Sequence, residues 1–254
     1  MNAGGRVAWY PAENAEVGIT AVREGVANQE GELYWADFRM DLDENTEVRA
    51  EVAATKRTEE GEESSGTAYM AEITRRTSKV DARAYIVEQE TGFGLGQRND
   101  SESGRRKMGV EGSYLLTDEI EVMAETYRHT SLQTGLSEDV AEATVEMNRG
   151  SASSSAGVRT AVTETEAGER VSSQAVVSGT WDVLDGKAKL RAGANAPIGG
   201  QNGSGNFPKR LRVGVDYKLT DSVTVKAEQE FSWGDRLDTQ GTRVGTQLRA
   251  VEGW

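Results

Sequence analysis

His129 and Ser131, in "YRHTSL", stand two residues apart and so share one face of an extended segment. A hydroxyl nucleophile beside an imidazole base is the start of acyl-transfer chemistry, but it needs a third group to orient the base. Glu125 and Tyr127 have the same parity as His129 and run into a charged face, so a solvated rim histidine is expected and no catalytic residue is assigned. "TGFGLGQRND" carries Gly92, Gly94 and Gly96, yet no βαβ unit surrounds it, so it reads as a surface loop and not a dinucleotide site. The acids of "NDSESG" and "LSEDVAE" offer oxygen ligands for Ca²⁺ but not at calcium-loop spacing. "TEEGEESSG" (58–66) reads as a self-repelling solvated loop. With one histidine and no cysteine, multi-histidine and thiolate metal sites are excluded, and no metal or cofactor is expected.

The larger set of chemically active side chains is a mixed-sign face. It comprises Arg49, Glu51, Arg83, Glu111, Glu121, Glu125, Glu142, Glu146, Lys187, Lys189, Arg191, Arg212, Lys218, Lys226, Glu228, Glu230 and Arg243. Each lies in a stretch where charged residues alternate with apolar ones. In "LTDSVTVKAEQEFSWGD", Val223, Val225, Ala227, Phe231 and Trp233 take one parity, and Thr224, Lys226, Glu228, Glu230 and Ser232 the other. Period-two alternation is the signature of a β-strand with two unlike faces.

Such stretches run nearly end to end. They predict fourteen strands, at 14–24, 31–42, 46–58, 66–77, 79–91, 105–117, 120–132, 138–150, 152–165, 169–184, 187–198, 210–220, 223–235 and 242–254. "GRVAWY" ahead of the first is a further candidate to pair. Tight connections ("DENT", "SK", "TDE", "GS", "DG", "TDS") alternate with longer polar ones, as an up-and-down barrel requires. "LDENTEVRAEV", "LTDEIEVMAET", "LDGKAKLRAGA" and "LTDSVTVKAEQ" repeat one form, Leu, a turn, then a strand, roughly every 35 residues. Two strands per period favour a barrel over a propeller, which would fit about four. Strands of about 11–12 residues, tilted by about 40°, span roughly 25–30 Å, the height of a membrane barrel's apolar band.

Alternation alone does not say which face is inside; size does. Eight strands enclose an interior that side chains just fill, whereas wider barrels hold water. Ala and Val would leave a fourteen-stranded interior void, while Arg, Lys, Glu and Asp can line a wet lumen. The charged set is therefore expected to be pore-lining. Its acids on 120–150 and its bases on 187–218 are expected to form opposed walls that tune selectivity. Tyr114 and Tyr217 near the short turns, with Tyr34, Phe231 and Trp233 near the long loops, suggest two aromatic girdles. Against this, Ser173, Gly179 and Gln229 fall on the apolar parity. Net charge is −13, from 29 Lys and Arg against 42 Asp and Glu, which argues against nucleic acid.

These phrases, with "VDARAYIVEQETGFGLGQ" and "RRKMGVEGSYLLTDEIEVMAETYRH", resemble bacterial outer-membrane β-barrels. More narrowly they are similar to barrel-forming regions of large Gram-negative OmpA-family and repeat-domain surface proteins. The resemblance spans nearly the whole chain and implies an all-β, up-and-down antiparallel transmembrane barrel. It also implies an outer-membrane location, membrane lipid or detergent as partner, and no enzymatic motif. Trp254 ends the chain in an aromatic, but Glu252 and Gly253 break the alternation before it, as in a segment excised from a longer barrel. The expectation is a single barrel domain over 1–254. It would act as a monomeric pore for small ions and polar solutes, with loops 92–104 and 199–209 closing on its mouth. The alternatives are a closed barrel serving as anchor or adhesive module, and a soluble β-rich binding protein.

Overall fold

The computed structural model describes residues 2–26, 29–59, 61–94, 103–199, 207–234 and 238–249. Every regular element among them is a strand. In chain order they are β1 (Ala3–Ala12), β2 (Ala15–Val26), β3 (Gln29–Asp43), β4 (Thr46–Glu59), β5 (Glu62–Arg76), β6 (Val80–Gln89), β7 (Arg105–Thr117) and β8 (Ile120–Ser131). They continue as β9 (Ser137–Arg149), β10 (Ala152–Thr165), β11 (Gly168–Val183), β12 (Ala188–Pro197), β13 (Lys209–Thr220), β14 (Val223–Trp233) and β15 (Thr239–Leu248). Each pairs with the next in sequence, which is an up-and-down meander of fifteen strands. The additional strand is β1, formed by the "GRVAWY" stretch and paired from Ala3 opposite Arg23 to Trp9 opposite Val17. The expected strand 242–254 is seen as β15, and residues 250–254 lie outside the described residues.

The chain divides into two compact units. One comprises Met1–Ser113, Glu125–Asp139 and Thr163–Glu169; the other comprises Tyr114–Ala124, Val140–Val162 and Arg170–Trp254.

The repeated Leu-turn phrase has a structural cause. In three of its four occurrences the residue after the leucine folds its side chain back onto the turn; in the fourth, a backbone bond from Lys187 N–H to Leu184 O closes it. Asp43 Oδ1 accepts the Asn45 N–H at 2.8 Å. Thr117 Oγ1 accepts the N–H groups of Glu119 and Ile120, and Thr220 Oγ1 accepts that of Ser222. Such short side chains mimic a turn's own hydrogen bond and fix where one strand ends and the next begins. The leucines before them, Leu42, Leu116 and Leu219, stay exposed on the apolar parity.

Connections at the opposite end differ from the expectation. Residues 90–104, 132–136, 198–208 and 234–238 are long, as the composition suggests. "TEEGEESSG" is instead a tight hairpin: Thr58 pairs Glu63 and Glu59 pairs Glu62, with only Glu60 and Gly61 between. A ladder of backbone hydrogen bonds continues wherever the register is set and does not need apolar side chains. β2 joins β3 and β10 joins β11 equally tightly.

No large side chain among the described residues is fully buried. The apolar face is left open, and on the charged face the cations are open too while the carboxylates between them are shielded. Val52 and Val110 are each 55% exposed, while the side chains of Glu72 and Asp216 are 11% and 15% exposed. A water-soluble sheet buries its apolar parity; here the polarity is reversed, as in a membrane barrel. Thr20, Thr55 and Gln174, all on the charged parity, are among the most buried residues. This parity is the inner face.

The polar interruptions of the outer face are accommodated in part, Gln229 Nε2 staying buried without a partner among the described residues. Thr242 Oγ1 donates to Gln229 Oε1 at 2.6 Å across the β14–β15 pair, where the two residues stand opposite each other. Ser173 and Thr160 hydroxyls bond at 3.0 Å between β11 and β10. Gly179 lies under the ring of Trp181, which comes within 2.7 Å of where a Cβ would be, so an aromatic covers the bare backbone. Polar groups satisfied within the sheet cost little in an apolar setting, where open hydrogen bonds are expensive.

Candidate functional site

Strand register turns the scattered inner charges into ladders. In the first unit, Arg39 on β3 meets Glu47 on β4 at 2.5 Å, and Glu47 also takes Arg49 at 2.5 Å. Arg49 reaches Glu72 on β5 at 3.8 Å, and Glu72 takes Arg83 of β6 at 2.8 Å. Arg83 then reaches Glu111 on β7 at 3.4 Å. Five adjacent strands are thus crossed by charges of alternating sign. Arg6 on β1 likewise reaches over β2 to Asp37 on β3 at 2.6 Å, touching Glu16 on the way.

Glu72 is the hinge of the longer ladder, with a guanidinium on each side. Glu72→Ala leaves Arg49 and Arg83 without their shared counter-ion. Both arginines keep contact with water, so the cost stays below that of breaking a fully buried pair, at about 1–2 kcal/mol. A lower urea midpoint at unchanged slope in detergent micelles is the expected readout; an unaltered midpoint would show the ladder to be energetically idle.

The second unit carries a similar set. Lys189 pairs Asp182 at 3.6 Å, Arg191 pairs Asp216 at 2.8 Å, and Lys226 reaches the same Asp216 at 3.9 Å. Arg212 takes Glu230 at 2.7 Å and Glu228 at 3.7 Å, and Arg243 closes on Glu228 at 3.1 Å. Lys187 sits in the β11–β12 turn, its N–H bonded to Leu184 O, and Lys218 N–H donates to Lys187 O beside it. The bases of β12 and β13 are therefore interleaved with acids and do not form an uninterrupted basic wall. The acids persist better as a group. Asn148 N–H donates to Glu119 O, a register that sets Glu121 on β8 opposite Glu146 on β9. Glu146 also accepts from Asn148, and Glu142 pairs Arg159 of β10 at 3.6 Å. Glu51 and Glu125 keep their inner parity, Glu51 opposite Met70.

Both loops singled out from sequence turn toward this face where they are described. After β6 the chain crosses the inner side of β5 at Gly66, and Gly94 N–H donates to Thr55 Oγ1 on β4 at 3.0 Å. Before β13, Phe207 is 4% exposed with Arg159 of β10 stacked on its ring at 5.0 Å. Residues 95–102 and 200–206 lie outside the described residues. Composition marks such segments as loops but cannot say that they fold inward.

The outer rim matches the girdle expectation. Tyr34, Tyr114, Tyr217 and Trp233 are exposed on the apolar parity, Phe231 stacks on Trp233 at 6.1 Å, and Lys209 lies over Trp233. Trp9 and Trp181 join the turn-side set. Among the described residues no group of three or more His, Cys, Asp or Glu is placed to hold a metal.

No family model and no curated protein matches the chain. Solved structures do. The FrpB iron transporter of Neisseria meningitidis superposes with a TM-score of 0.63 at 11% identity, over 98% of this chain and 58% of that one. The ferric-catecholate import receptor Fiu of Escherichia coli K12 gives 0.56 at 10% identity, over 98% and 55%. A loop-deletion mutant of OmpT, an outer membrane protein of Vibrio cholerae, gives 0.51 at 11% identity, with 98% of both chains covered. This chain spans a little over half the length of the first two. The likeness is one of fold: the chain has the all-β, up-and-down architecture of outer-membrane β-barrels.

Proposed function

We propose that this protein is an outer-membrane barrel acting as a channel for passive diffusion of ions and small polar solutes, bounded by lipid and working as a monomer. The observation that carries the reading is the reversed polarity of the sheet. Exposed Val, Ile, Leu and aromatic residues cover one face, and half-buried carboxylates bridged by arginines cover the other. The first face suits hydrocarbon with interfacial aromatics, and the second suits confined water. The narrower likeness to OmpA-family and repeat-domain surface proteins stays with the sequence phrases that suggest it.

Purified protein in planar bilayers is expected to give discrete conductance steps. Replacing Lys187, Lys189 and Arg191 together by Gln removes three positive charges and leaves Asp182 and Asp216 short of counter-ions, so selectivity moves toward cations. Folded protein that never conducts would overturn the channel reading. A second reading, a closed barrel serving as anchor or adhesive module, is favoured by one feature: the inward course of the chain at Gly94 and at Phe207.

A further inference from the structure

Lys107 is an inner cation held in a different way from those of the ladders. Lys107, near the loop-side start of β7, has no carboxylate within ion-pair distance among the described residues. Aromatic rings hold it instead. Its Nζ lies 4.2 Å from the ring centre of Tyr127 on β8 and 5.5 Å from that of Tyr85 on β6. Tyr85 is itself braced by Arg83, stacked at 4.6 Å, and is 9% exposed.

The arrangement is built into the backbone. Gly109 is the next inner residue of β7. A Cβ there would fall 2.8 Å from Tyr127 Cβ, 3.1 Å from the Tyr85 hydroxyl and 2.7 Å from Thr126 O. Glycine is what lets both phenols lean over β7 from either side. Leu132 N–H donates to Gly104 O, a register that sets His129 opposite Lys107 and Glu125 opposite Glu111. The acids of these two strands therefore lie two rungs toward the turn side; Glu111 is already engaged by Arg83, and Glu125 acts on Lys107 through space without forming an ion pair with it. Glu138 on β9 lies beyond His129 and accepts the Thr163 hydroxyl.

We propose that Lys107, gripped by Tyr85 and Tyr127, is a binding site for small oxyanions entering from the loop side. The faces of two rings fix an ammonium ion in place without cancelling its charge, so it remains available to an incoming carboxylate or phosphate. In the ladders an arriving anion would have to displace a resident carboxylate, as at Arg83 and Arg191; Lys187 and Lys218, at the turns, have no aromatic ring holding them among the described contacts. Only the solute's access to the site rests on the channel reading; the site itself does not.

The test is binding of inorganic phosphate to detergent-folded protein, followed by broadening of its ³¹P resonance. Lys107→Gln is expected to weaken binding about tenfold or more, the worth of one charge-assisted hydrogen bond. Tyr127→Leu is expected to weaken it too, while Tyr127→Phe keeps the ring face and retains it. Lys56→Gln, on the outer face and paired with Glu63, serves as control. Equal broadening by the Lys107 variant, or an equal loss with the Lys56 variant, would overturn the site. Phosphate binding without conductance would overturn the channel reading and leave the site standing.

Discussion

Diluted from denaturant into buffer alone, this chain is expected to aggregate; diluted into detergent micelles or lipid, it folds. More than two dozen large apolar side chains are exposed in the folded structure, from Val7 and Ile19 through Val52, Ile73, Val145 and Val213 to Val244. Covering such a side chain fully is worth about 1.5–3 kcal/mol, so half-exposed ones gain on the order of 1 kcal/mol each from an amphiphile. Summed over the face, that is tens of kcal/mol that water cannot supply. No compensating core exists among the described residues, since no large side chain is fully buried. Ordering the backbone costs about 1–2 kcal/mol per residue, which an aqueous sheet lined on one side by ion pairs cannot offset. Circular dichroism and sedimentation with and without detergent make the measurement. A folded, dispersed monomer in plain buffer would sink both the channel and the anchor readings and revive the soluble one.

Strand positions were largely legible because side-chain period two is imposed by the backbone itself. The strand expected at 105–117 is β7 to the residue, and most others end within a few residues of expectation. β1 was harder, since Gly4, Gly5 and Pro11 dilute its alternation and only the pairing of Val7 with Ile19 reveals its faces. Which residues share the inner face follows from parity alone. Which of them touch does not. Glu72 and Arg83 are eleven residues apart around one tight turn, but Arg83 and Glu111 meet only once a long connection has set the β6–β7 register. The same register brings Tyr85 to Lys107, so no local pattern announces the aromatic grip. Gln229 is comparable: alone it is a polar residue on an apolar face, and only the register with β15 supplies Thr242.

Gly66→Val is expected to enlarge the conductance. A Cβ at position 66 would lie 2.3 Å from Phe93 N and 2.5 Å from Gly92 C. Both are backbone atoms, so no rotamer relieves the clash and the crossing segment must lift away from β5. The reverse contact is as close, since a Cβ on Gly92 would fall 2.1 Å from Ser65 O. What holds the segment is modest: the Gly94 N–H to Thr55 bond and the Glu90 N–H to Thr67 O bond, each worth about 1 kcal/mol. Valine favours a strand, so the Thr55–Gly66 pairing itself should tolerate the change and the sheet stay folded. Thr55 is 4% exposed, and the chain has no cysteine, so Thr55→Cys gives a single reporter; because it also replaces the hydroxyl that accepts from Gly94, the comparison is between Thr55→Cys with and without Gly66→Val. Its reaction with a membrane-impermeant thiol reagent should accelerate several-fold in the Gly66→Val background, together with the rise in single-channel conductance. Gly5→Ala, whose Cβ meets nothing within 4 Å, should change neither. Faster labelling with unchanged conductance would mean that the segment covers β4 and β5 without obstructing the path. Unchanged labelling would mean that it does not cover them at all. A conductance that appears only in the Gly66→Val variant would favour the closed-barrel reading of the native chain, with residues 91–94 as part of what closes it.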